Sequence, residues 1–77
     1  MRYFFDIRDT KGLYPDEEGI ELPDERAAKV EAAQTLAGLA KDAATEDGRS
    51  NVSIEVRSEE GWLFHAAFVF QEGNTKH

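Results

Sequence analysis

The 77-residue chain has no cysteine, two prolines, and only nine lysines and arginines against sixteen acidic residues. Without cysteine there is no disulfide framework and no thiolate zinc centre, which fits a reducing compartment. The net charge of −7 repels phosphate backbones, so nucleic acids and anionic membrane surfaces are disfavoured as partners. No apolar run approaches the ~18 residues that span a bilayer, the longest being residues 66–70. A chain of this length supports one small core, with a total stability of roughly 4–11 kcal/mol.

What is present begins at once. In Arg2-Tyr3-Phe4-Phe5-Asp6-Ile7-Arg8, aromatic and β-branched residues alternate with polar ones, the period of a half-buried strand. A signal peptide needs a longer apolar stretch uninterrupted by charge, so the expected location is cytoplasmic. Asp9-Thr10-Lys11-Gly12 reads as a hairpin turn with a bulge, and a short return strand through Leu13 and Tyr14 ends at Pro15. Asp16-Glu17-Glu18-Gly19 continues as a charged loop before Ile20 and Leu22 return to the core.

Asp24 is a natural N-cap for a helix over 24–45, in which Ala28, Ala32, Leu36, Leu39, Ala40 and Ala43 share one face. That stripe is small in volume, so the helix lies close to a sheet whose phenylalanines are expected to fill the gap. Gly48 suits the C′ position. Val52, Ile54 and Val56 then alternate with Ser53, Glu55 and Arg57, and Ser58-Glu59-Glu60-Gly61 turns into a last strand over 62–70. The expectation is an α+β fold: β-hairpin, one amphipathic α-helix, β-hairpin, forming a four-stranded antiparallel sheet with the helix on one face. The first and third strands pair at the centre and the fourth lies at an edge. Residues 1–71 form the domain and 72–77 a polar tail.

These residues resemble a family of small uncharacterised bacterial domains, frequent in rhizobia and related alphaproteobacteria, that open with an RYFFDIRDG-like strand. The resemblance rests on Arg2 to Asp9, Asp16-Glu17-Glu18-Gly19 with Glu21-Leu22, the alanine-rich helix, Ile54-Glu55-Val56-Arg57 and the Glu60-Gly61 turn. Thr10 departs from it, standing where a glycine is usual. The resemblance implies a fold and no chemistry.

No residue set amounts to a catalytic or cofactor signature. Asp16, Glu17 and Glu18, with Asp6, Asp9 and Asp24, lack the alternate spacing of a calcium loop and read as solvated. Asp6 is expected to pair with Arg8 or Arg57 across the sheet. His65 has no cysteine to activate, while Ser50, Ser53 and Ser58 stand on or beside another strand. Trp62 reads as a packing residue beside a turn. Neither Gly12 nor Gly61 belongs to a phosphate-binding loop, and Gly38 interrupts the outer helix face.

The last strand is apolar on both sides, with Phe64, Ala66, Phe68 and Phe70 in one register and Leu63, His65, Ala67 and Val69 in the other. Such a strand is expected where the second side is also covered. Leu63, His65, Ala67 and Val69 are therefore the candidate interface of a homodimer, made either by pairing edge strands or by stacking open sheet faces, and the chain reads as a non-enzymatic, self-associating binding or structural module without cofactor or metal. The alternative is an acidic regulatory, antitoxin-like partner of a basic protein, an analogy of size and element order alone.

Overall fold

A computed structural model describes residues 1–46 and 51–68, with side chains described for 1–42 and 51–68. The chain runs β1 (Arg2–Asp9), β2 (Gly12–Tyr14), β3 (Ile20–Glu21), α1 (Glu25–Glu46), β4 (Val52–Ser58) and β5 (Gly61–Phe68). All pairings are antiparallel, in the order β2-β1-β4-β5, and β3 pairs β1. The expected hairpin–helix–hairpin fold is therefore present, with β1 and β4 paired at the centre. The short β3 is an addition to the expected strands, and of the two residues expected to return to the core Leu22 packs against it while Ile20, paired to Tyr3 on the sheet edge, is exposed. Strand β3 pairs Arg2 with Glu21 and Tyr3 with Ile20, while β2 pairs Ile7, Arg8 and Asp9, so both share one edge of β1.

The helix begins where its cap dictates: the Asp24 carboxylate accepts the Ala27 N–H at 2.9 Å, satisfying an otherwise orphaned donor. Ala28 and Ala32 are fully buried, Ala40 is nearly so, and Leu36 and Leu39 pack at the margin. The Ala43 side chain, Gly48 and residues 69–77 lie outside the described residues. With alanines at the contact, α1 lies close over β4 and β5.

Ile54 and Val56 are the largest fully buried side chains, joined by Tyr3 and Phe5 from β1. The expectation that phenylalanines fill the gap is thus only partly met. Phe64 and Phe68 are half-buried: among the described residues β5 has a neighbouring strand on one side only, whereas the β-branched residues of central β4 are enclosed by strands on both sides and the helix above.

The bulge also moves. The first hairpin pairs Asp9 directly with Gly12, the Asp9 carboxylate accepting the Lys11 and Gly12 N–H groups at 2.7 and 3.1 Å. The irregularity instead falls in the second hairpin, where Val56 faces Phe64 and Arg57 faces Trp62, leaving Leu63 as the extra residue.

Candidate functional site

The helix covers one face of the sheet, and among the described residues no element packs on the other. By register that open face carries Phe4, Asp6 and Arg8 from β1, Ser53, Glu55 and Arg57 from β4, and His65 and Ala67 from β5. Its organising group is Arg57. Its guanidinium donates from Nε to Asp6 Oδ2 at 2.8 Å and from Nη2 to Asp6 Oδ1 at 3.3 Å and the Asp16 carbonyl at 3.0 Å. The same guanidinium lies 4.6 Å from the Phe4 ring centroid, a stacked cation–π geometry that arginine suits. Of the two expected partners for Asp6, the structure selects Arg57.

Asp16 is the residue that sequence reasoning missed. Its Oδ2 accepts the Phe5 N–H at 3.1 Å, and its Oδ1 accepts the Glu18 and Gly19 N–H groups at 3.1 and 3.0 Å. Phe5 sits between the stretches of β1 paired by β2 and β3, so the carboxylate fills the gap that the interrupted edge strand leaves. The Asp16 N–H donates to Asp6 Oδ1 at 2.8 Å, closing the network. The signal lay in the spacing: an aspartate followed three residues later by glycine is the pattern of an Asx turn. Gly19 is needed there, at φ 76°, because a Cβ would stand 2.8 Å from Arg2 Cγ and 2.9 Å from the Phe4 ring.

Burial by itself would push the Asp6 carboxyl up, but the hydrogen bond and charge of Arg57 and the Asp16 N–H hold it below its ordinary value. Asp16 behaves alike: three backbone N–H groups and Arg57 outweigh its desolvation and lower it. A carboxylate whose folded pKa is depressed contributes stability that is complete above its unfolded value, near 4, and lost as pH falls through the folded value. The urea midpoint is accordingly expected to fall as pH drops below about 4, and to fall less steeply in Asp6→Asn. Equal acid slopes for the two proteins would show that this carboxylate is not linked to folding.

The four candidate interface residues separate. Leu63, the bulge residue, packs against the core, which removes it from the exposed set. His65 and Ala67 are exposed, facing Glu55 and Ser53 across the strand pair, and Val69 lies outside the described residues. Trp62 replaces Leu63, standing opposite Arg57 and 63% exposed. Among the described residues no three or more His, Asp or Glu side chains gather as a metal site, and no helix is long and apolar enough to cross a membrane.

The two edges of the sheet differ. The β1 side is closed by short β2 and β3, with Pro15 and the acidic loop between them. The β5 side is an eight-residue strand, Gly61–Phe68, with no acidic residue, lysine, arginine or proline.

A one-helix antiparallel α+β domain with an open sheet face is the class that this fold defines. The chain belongs to the family described as Domain of unknown function (DUF6894), whose model matches residues 2–69. Comparison with curated proteins and with solved structures gives no match.

Proposed function

We propose that this protein is a non-enzymatic, cytoplasmic binding or structural module that works by self-association, as a homodimer. The single observation that carries the reading is the outer edge of β5, which over Gly61–Ala67 meets no further strand among the described residues and carries no acidic side chain, lysine, arginine or proline. Monomeric sheet proteins blunt such edges with charge, proline or short strands, as this chain does on its opposite side. Trp62, His65 and Ala67 extend the same surface with exposed and largely apolar side chains. A structural role is further supported by the network on the open face, where the Arg57 guanidinium, Asp6 and Asp16 hold strand and loop together.

The second reading, an acidic regulatory partner of a basic protein, is favoured only by the net charge of −7. Salt separates the two. Copies of like charge repel, so added salt strengthens a homodimer, whereas it weakens an acidic–basic complex. Sedimentation equilibrium at micromolar concentration is expected to give twice the 8.6 kDa chain mass, with tighter association at higher salt and weaker association in Ala67→Glu. An 8.6 kDa species at every concentration, together with salt-sensitive copurification of a basic protein, would transfer the case to the second reading.

A further inference from the structure

The position of the helix dictates how two copies fit. Helix α1 lies over β4 and β5, displaced toward the free edge rather than centred on the sheet. Its rotation is fixed by two observations: Ala28 and Ala32 point into the core, and Lys29 Nζ stands 5.9 Å from the Phe64 ring of β5. The flank carrying Lys29 therefore looks toward the edge. At 3.6 residues per turn, Ala33 and Ala37 follow Lys29 on that side, and both are exposed.

We infer that two copies pair β5 with β5 antiparallel, about a twofold axis normal to the sheet, so that one continuous sheet forms and the two α1 helices lie side by side on the same face. This rests on the self-association reading above. Strands in a sheet are ~4.8 Å apart, so a helix above the β4–β5 midline is roughly 5 Å from such an axis and the two helices roughly 10 Å from each other. That is the packing distance of helices meeting through small residues, 8–10 Å in general. The occupant is thus a second copy of this chain: pairing satisfies the outer backbone of Gly61–Ala67, which meets no further strand among the described residues, and the same operation brings the alanine flank of each helix against the other. An isologous contact of this kind closes on itself. A foreign strand could use the edge, but it would leave Ala33 and Ala37 uncovered.

The absence of cysteine makes the test clean. Ala33→Cys, with Ala37→Cys as a second position on the flank, is compared with Leu13→Cys on the opposite edge and Glu55→Cys at the centre of the open face. Each is treated with a short bis-maleimide, after circular dichroism has shown the variant to be folded. The expected result is that the flank variants shift mostly from 8.6 kDa to twice that mass on a denaturing gel, while the other two remain single chains. If sedimentation shows a dimer but Leu13→Cys or Glu55→Cys cross-links instead, or none does, the β5 geometry is overturned and self-association stands. If sedimentation shows only monomer, both fall.

Discussion

Ile54→Ala is expected to lower the unfolding free energy by about 2–5 kcal/mol, the range for deleting a fully enclosed large aliphatic side chain. Ile54 has no exposed surface; Ile7 and Ala66 flank it in the sheet, and the alanine stripe of α1 covers it. The cavity cannot close easily. Ala28 and Ala32 already bring the helix near the sheet, and their short side chains have nothing to swing inward. For a domain this small the loss is a large share of a total near 4–11 kcal/mol. Leu36→Ala, at a half-buried helix position, is expected to cost less. Urea denaturation of the two variants measures both. A smaller loss for Ile54→Ala than for Leu36→Ala would place the centre of the core under the helix's outer turns rather than at β4.

Asp16→Ala is expected to cost about 2–3 kcal/mol, although Asp16 lies in a charged loop where surface substitutions usually change stability by less than about 0.5 kcal/mol. The carboxylate accepts three backbone N–H groups, one of them from Phe5 in the half-buried edge of β1. Hydrogen bonds to a charged acceptor are the stronger kind, and water recovers only part of the loss where the donor is enclosed. Removing the side chain also frees the loop whose carbonyl holds Arg57. Glu17→Ala, one position along and exposed, is the control and is expected to be neutral. Equal midpoints for Asp16→Ala and wild type in thermal unfolding would reduce the network to a solvated loop.

The contrast between those two acids shows where sequence reasoning succeeds and stops. Alternation in β1 and β4, the Asp24 cap and the spacing of Ala28 and Ala32 are local patterns, and each states its own outcome: which residues face inward and where the helix starts. The pairing of β1 with β4 follows from one helix returning the chain across the sheet. Asp16 is different in kind, because its importance comes from a gap in the edge beside Phe5, which depends on how far β2 extends before Pro15. Leu63 fails for a related reason. Alternation assigns it to the side of His65, but one extra residue opposite Arg57 reverses the phase, and a bulge that contains no glycine leaves little trace in composition. Tyr3 was legible as an alternating strand residue, yet its burial depends on β3 lying alongside, an element of two residues, Ile20–Glu21.

Hydrogen exchange across a concentration series tests the central claim most directly. If this protein works by pairing its free edge, alternate amides of β5, those not already bonded to β4, gain protection as the protein is concentrated, while the amides of β2 and β3 exchange at one rate throughout. Protection of β5 that is independent of concentration, or a concentration effect confined to the opposite edge, would contradict the account.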